Sequence, residues 1–149
     1  MPTLQFSRNI KKRGDQFQNS ASELVRRTAR RILRGVVLNT KADTGRARSN
    51  WRVGVGAPTR SNIDPYSPYP KGSKANGQGT GERANAEAAI AAGNARINSV
   101  RGKSFVGLET GIFISNNLPY IDKALLDVGL EVAAAEARAD IRNFRFWGI

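Results

Sequence analysis

The sequence predicts a single α+β domain in which amphipathic helices pack on a small antiparallel sheet. Three observations support this: a helical apolar repeat near residues 17–38, an alternating strand pattern from Trp51, and a β-branched and aromatic run at 112–114. A chain of 149 residues fits one domain with a sizeable core. We divide it into a basic N-terminal arm (1–16), the domain (17–142) and an aromatic C-terminal tail (143–149).

The first helix is predicted from its apolar period. Residues 1–16 are basic and lack such a period, so we expect an arm there. From Phe17 the apolar residues repeat about every 3.6 positions. Ser20 and Glu23 have capping-box spacing, which places the helix start at Ser20 or one turn earlier. The expected apolar stripe is Phe17, Ala21, Leu24, Val25, Thr28, Ile32 and Val36. The opposite, basic face is Arg26, Arg27, Arg30, Arg31 and Arg34.

A strand and a long loop come next. Turn formers precede Trp51, and Trp51, Val53 and Val55 then point to one side of an extended chain. Trp51 is most simply a core anchor of this half-buried strand. Residues 57–83 contain four prolines and four glycines but few apolar residues. This composition predicts a Pro/Gly-rich loop that is mobile in the isolated protein and ordered by contact in an assembly.

The second half of the chain predicts two helices and two short strands. Residues 82–98 are rich in alanine, which permits a closely packed helix. Residues 103–108 and 111–115 are strand candidates joined by a hairpin. A third helix is expected from about 120 to 141. The helical spacings place Ala84, Ala88, Ala91 and Ala95, with Ile90 and Ile97 as anchors, on the second helix, and Ile121, Leu125, Val128 and Val132 on the third.

The charge is strongly basic and unevenly placed. Residues 1–60 contain 14 Lys and Arg against 3 Asp and Glu, whereas residues 61–149 contain 10 against 9. The first part therefore holds +11 of the total of +12. Such asymmetry indicates an electrostatic role beside a polyanion, or a basic face that pairs with a neighbouring subunit.

The composition argues against an enzyme. The chain has no histidine and no cysteine, so the commonest general base and the main zinc ligands are missing. The acids Asp122, Asp127 and Glu131 share a helical side beside Lys123, a spacing typical of a solvated face. The glycines at 77, 79 and 81 follow a polar tract and lack the setting of a dinucleotide loop. We predict no enzymatic activity, no metal site and no cofactor.

Two motifs resemble the neck or tail-completion proteins of tailed bacteriophages. The first is the segment from Asp43 to Trp51, and the second is the corner from Ile114 to Tyr120, where Pro119 restricts its predecessor to extended geometry. The resemblance runs from roughly Phe17 to Tyr120. The motif residues are Asp43, Thr44, Gly45, Arg46, Arg48, Asn50, Trp51, Asn116, Asn117, Pro119 and Tyr120.

The resemblance implies a structural virion protein. It implies a homo-oligomeric ring in the neck, assembled in the host cytoplasm, which contacts other neck, connector and tail proteins and lets genomic DNA pass without sequence preference. The arginine face would line the DNA channel, dock on an acidic neighbour, or simply be solvated. In the tail, Phe144, Phe146 and Trp147 would form a subunit contact or pack locally.

Other functions are less favoured by the sequence. A free nucleic-acid-binding protein without sequence preference fits the basic N-terminal part, but aromatic residues are not interleaved with the basic ones. A small hydrolase or nuclease lacks histidine and a metal-ligand cluster. No apolar run approaches the length of a membrane span, so we expect no membrane partner.

Overall fold

The structure, a computed structural model, describes residues 2–41, 44–68, 80–99, 111–124 and 127–144. It confirms a mixed architecture of helices and a small antiparallel sheet, in which helix dominates. The elements in chain order are α1 (Pro2–Leu38), α2 (Arg46–Ser49), β1 (Arg52–Val55), α3 (Thr80–Asn98), β2 (Ile112–Ser115), α4 (Ile121–Ala124) and α5 (Asp127–Asn143).

The sheet consists of the two strands whose pairing the sequence predicts. β1 and β2 run antiparallel, with Arg52 opposite Ser115 and Val55 opposite Ile112. Trp51 and Val53 are buried on the same side, as the alternating pattern requires. The strand expected at 103–108 and its hairpin lie outside the described residues.

The core lies where α1, α3, α5 and β1 meet. Its centre is Leu33 of α1, which is 0% exposed, surrounded by aliphatic and aromatic side chains from the other elements. Burial of this apolar surface is the main source of stability. The buried cluster is Ala29, Leu33, Val36, Val37, Trp51, Val53, Ala86, Ala89, Ile97 and Ala133.

The first helix begins much earlier than predicted. α1 starts at Pro2, so the segment expected as an irregular arm is helical, although residues 4–19 are all exposed. Proline is tolerated in the first turn, and the segment contains no further proline and many good helix formers. The expectation of a start near Ser20 was wrong because the apolar period and the capping-box spacing do not register a helical segment that is exposed on all sides.

The predicted buried stripe of α1 was also misplaced. Phe17 and Val25 are exposed, whereas Ala29 and Leu33 are buried and only Val36 of the expected stripe is fully enclosed. The reason is that α1 packs on two sides, against α3 and against α5. The side enclosed between its neighbours is buried, and it differs from the side richest in large apolar residues.

The other two helices bury small residues. In α3 the enclosed positions are Asn85, Ala86, Ala89, Gly93 and Ile97, whereas Ala91 and Ala95 of the expected face are exposed. Ile97 is confirmed as an anchor, since it is 0% exposed. Close helix approach explains this choice of positions, because small side chains let two backbones come near each other.

The third predicted helix divides into α4 and α5. Val132 is exposed, and Ala133, Ala137 and Asp140 are buried in its place. A Cβ atom built on Gly35 of α1 would lie 2.8 Å from Ala133 Cβ, so the two helices cross with very little space between them. Leu125 and the side chain of Val128 lie outside what the structure describes. None of the described helices combines the length and the apolar character that crossing a membrane requires.

Candidate assembly surface

The first motif starts with a turn that requires glycine. Gly45 has a φ of 79°, in the left-handed region that other residues rarely adopt. The backbone N–H of Ser49 donates to the carbonyl oxygen of Gly45 over 3.0 Å, which starts α2. A Cβ at Gly45 would collide with the side chain of Asn85. Both the backbone and the approach of α3 therefore exclude a larger residue. Asp43 lies outside the described residues.

Asn50 joins the first motif to the following loop. Its buried Nδ2 donates to the carbonyl oxygens of Arg46 and Ile63, each over 2.8 Å, and its Oδ1 accepts from the backbone N–H of Ile63 over 2.8 Å. An amide side chain has both the donor and the acceptor that this double pairing with one residue needs. A carboxylate would lose the two donated bonds.

Trp51 is confirmed as a core anchor with a satisfied polar edge. It is 9% exposed, and its Nε1 donates to Thr40 Oγ1 over 2.8 Å. Thr40 Oγ1 in turn donates to the carbonyl oxygen of Val36 over 2.6 Å, and Arg48 Nε donates to the carbonyl oxygen of Thr40 over 2.8 Å. The end of α1, the motif and the core thus share one hydrogen-bonded chain.

The second motif meets the first in space. Asn116 Nδ2 donates to the carbonyl oxygen of Ala47 over 2.8 Å, and its Oδ1 accepts from the backbone N–H of Leu118 over 3.2 Å. Asn117 Nδ2 donates to the carbonyl oxygen of Thr59 over 2.6 Å. The two segments, about seventy residues apart in sequence, therefore form one structural unit. Arg46, Pro119 and Tyr120 are exposed at its surface.

A buried polar cluster beside the motifs was not anticipated. Ser49 and Asn85 are both 0% exposed, and Ser49 Oγ donates to Asn85 Oδ1 over 2.8 Å. Asn85 Nδ2 donates to the carbonyl oxygens of Ser67 and Gly81, each over 2.7 Å. The one available signal was an asparagine, a poor helix former, inside an alanine-rich helix.

The cluster orders the described part of the long loop. The backbone N–H of Tyr66 donates to Ser49 Oγ over 3.2 Å, and that of Ser67 donates to Asn85 Oδ1 over 2.8 Å. Ser115 Oγ donates to the carbonyl oxygen of Thr59 over 3.0 Å. Polar side chains of the fold thus hold the described part of the loop in place of apolar burial, which its composition does not indicate. The predicted mobility of the loop in the isolated protein stays a prediction. Residues 69–79 lie outside the described residues.

The arginines of α1 do not form one free face, contrary to the prediction. Arg27 Nε lies 3.2 Å from Asp140 Oδ1, and Arg31 Nε lies 2.7 Å from Asp140 Oδ2. The second contact lies outside hydrogen-bond geometry, so its attraction is chiefly ionic. The Asp140 side chain is 3% exposed, and two cations from α1 compensate its charge. No sequence pattern indicates this partner, because Asp140 lies far along the chain on α5.

The remaining arginines of the face also differ from the prediction. Arg26 is 9% exposed and pairs with Glu23 over 3.0 Å. Arg30 contacts Glu23 over 3.4 Å and donates to Asn98 Oδ1 over 2.6 Å. Arg34 alone among the five is both exposed and outside the ion pairs of the described residues. It borders a groove between α1 and α3. The helical wheel was wrong for Arg26, which is buried, whereas the side chains of Arg27 and Arg31 stay about half exposed beside Asp140.

The groove beside Arg34 also contains charges of both signs. Arg83 Nε donates to Glu87 Oε1 over 2.6 Å, and this hydrogen bond together with the carboxylate charge raises the pKa of Arg83 above its ordinary value. Glu82 Oε2 lies 4.0 Å from Arg48 Nη1. The groove is therefore electrostatically mixed. Within the described residues no group of three or more acids has metal-binding geometry.

The described part of the C-terminal tail ends at Phe144, which is half-buried and makes contacts. Phe146 and Trp147 lie beyond it, so the predicted contact by these two aromatic residues stays a prediction.

No family model matches the chain, and no curated protein and no solved structure shows detectable similarity to it.

Proposed function

We propose that this protein is a structural component of a tailed-phage virion, which forms a ring in the neck, joins head to tail and lets DNA pass. Its work is done by surfaces that contact other copies and neighbouring virion proteins. The observation that supports this proposal best is the union of the two motifs in one unit, held by the hydrogen bond from Asn116 to the carbonyl oxygen of Ala47.

This contact supports the proposal because two motifs that resemble the same family are stronger support for it when they form one structural unit than when they lie apart. Ser49, Asn50 and Asn116 direct their polar groups inward, where they hold the backbone of the unit. The motifs thus maintain a rigid shape, which is the requirement of a subunit that must fit its neighbours in a closed ring.

An exposed helical segment adds support of a second kind. Residues 4–19 of α1 are all exposed, and Leu4, Phe6 and Ile10 are among them. Phe6 and Ile10 are one turn apart and share a side of the exposed helix, and such a pair is typical of an interaction surface. A subunit of an assembly would cover such a segment.

The decisive experiment is a reconstruction, with symmetry left free, of the particle that contains this chain. We expect a closed ring at the joint between head and tail. One or two isolated copies, or a position outside the neck, would overturn the proposal. Flanking genes for portal, capsid and tail-tube proteins would be an inexpensive first test.

The alternative function is a free nucleic-acid-binding protein without sequence preference. It is favoured by Arg8, Lys11, Lys12 and Arg13, which are all exposed on the first turns of α1. Removing these charges should weaken duplex DNA binding by the free monomer steeply with rising salt if this alternative holds. A neck protein should retain its assembly in virions without tight DNA binding by the monomer.

A further inference from the structure

A recessed pocket lies between β1, the described part of the loop and α3. It has a volume of about 270 Å³ and is formed by side chains from all three elements. Trp51, Val53, Ala92 and Gly93 provide an apolar part. Arg52, Thr59, Tyr66 and Arg96 provide the polar part.

One wall of this pocket contains an arginine with one unpaired nitrogen. Arg52 Nη1 is fully buried and has no hydrogen-bond partner. Buried polar atoms are nearly always paired, and a charged donor without an acceptor is especially unfavourable. An acceptor that enters the pocket would pair this nitrogen after a small movement of the Arg52 side chain, whose residue lines the pocket.

The second arginine strengthens the same conclusion. Arg96 lines the pocket from α3, and neither it nor Arg52 belongs to any of the ion pairs among the described residues. No carboxylate is among the described lining residues. Two arginines that line one concave site supply the kind of donors that a planar oxyanion pairs with.

We propose that this pocket binds the carboxylate of an acidic side chain that protrudes from a partner protein. The apolar part suits the methylene stem of a glutamate, and the arginines suit its carboxylate. A duplex is the less suitable partner, because its phosphates lie along a broad convex backbone whereas this site is recessed and partly aromatic. The inference does not depend on the assignment to a phage neck.

The experiment uses the full chain labelled with ¹⁵N and four probes. These are N-acetylglutamic acid N-methylamide, its neutral glutamine counterpart, inorganic phosphate and a random DNA duplex. Two variants alter the pocket differently: Arg52→Gln removes the buried cation, and Ala92→Leu fills the space while keeping every charge. Arg138→Gln, on the exposed side of α5, is the matched control for total charge.

We expect the glutamate probe to shift the Arg52 Nε and Trp51 indole signals in a saturable manner, and the glutamine probe to leave them unchanged. Arg52→Gln should weaken binding by about tenfold or more, since charge-assisted bonds are the stronger class. Ala92→Leu should weaken it as well, and Arg138→Gln should not.

Two results would overturn the proposal. Glutamate binding that is absent, or unchanged in both pocket variants, would mean that the cavity is no receptor. Phosphate binding with a loss of duplex affinity in Arg52→Gln would assign the site to nucleic acid instead of an acidic protein. Should Arg52→Gln fail to fold, Arg52→Lys takes its place beside Ala92→Leu, because both variants keep a cation at this position. Glutamate binding that is unchanged in these two variants would then overturn the proposal.

Discussion

The two halves of α1 belong to one continuous helix but differ in what surrounds them. Residues 4–19 are exposed at every position, whereas the second half buries Ala29, Leu33, Val36 and Val37. Asp140 of α5 pairs with arginines of the second half alone. The first half therefore depends on local helix propensity, and the second half on tertiary packing.

Two segments of one helix can therefore contribute very different amounts to the free energy of unfolding, although their backbone geometry is the same. Isolated helices of this length are marginally stable in water, because nucleation is unfavourable and few residues add hydrogen bonds to offset it. The first half nevertheless extends from a helix that is already nucleated by the core, which removes most of that cost. Substitutions in the two halves should consequently have very different effects.

The largest contrast is expected for truncation of one apolar side chain in each half. Leu33→Ala should destabilise the protein by about 2–5 kcal/mol, because Leu33 is fully enclosed and its loss leaves a cavity. Ile10→Ala should change stability by only about 0.5 kcal/mol or less, since Ile10 is exposed. Urea denaturation followed by tryptophan fluorescence measures both. Equal losses would mean that the first half is part of the core.

A smaller loss of stability is expected when the carboxylate of Asp140, which pairs α5 with α1, is neutralised. Asp140→Asn keeps the shape but leaves Arg27 and Arg31 without their counter-charge. We expect about 2 kcal/mol of destabilisation, less than for a fully buried pair because both arginines are partly exposed. Glu131→Gln, at an exposed position of the same helix, is the control. A neutral result for Asp140→Asn would show that packing alone holds α5.

Two glycines in α1 make a matched pair. Gly35→Ala should cost about 1 kcal/mol, because the gain in helix propensity is outweighed by the contact with Ala133. Gly14 has nothing within 4 Å of a built Cβ, so Gly14→Ala should raise helix content without changing the unfolding midpoint of the core. Circular dichroism and urea denaturation together test the pair. A midpoint raised by Gly14→Ala would couple the two halves.

The smallest effect on folding is expected from removal of residues 2–16. Residues 4–16, whose burial the structure describes, are all exposed, so the melting temperature should change by only a few degrees. Incorporation into the assembly should fall instead, because the exposed apolar residues of the segment are lost. A truncated protein that is unfolded would contradict the division between the two halves.

The sequence predicted the features that depend on local patterns. The alternation from Trp51 and the β-branched run at Phe113 were sufficient to predict two paired strands, and the left-handed turn at Gly45 follows from the residue itself. The chain position of α3 was predicted to within two residues at its start. In each case the signal and the structure lie within a few residues of one another.

The predictions that failed concern residues whose surroundings depend on elements far away in the sequence. Arg27 and Arg31 looked like part of a solvated face until α5 brought Asp140 beside them. Asn85 was not singled out within the alanine-rich segment, although it holds the backbone of Ser67. Apolar periodicity reports which residues prefer burial, but the approach of a neighbouring helix decides which are buried.

The loop held by Asn50, Ser49 and Asn85 has a consequence for the thermodynamics of association. A loop that becomes ordered only on binding loses conformational entropy at that moment, which subtracts from affinity. In this protein the loop contains Thr59 and Tyr66, which line the pocket together with Arg52 and Arg96. The backbone of each is already held by a hydrogen bond from or to the rest of the fold. The entropy is lost during folding, so a partner that docks here should dissociate slowly for its contact area.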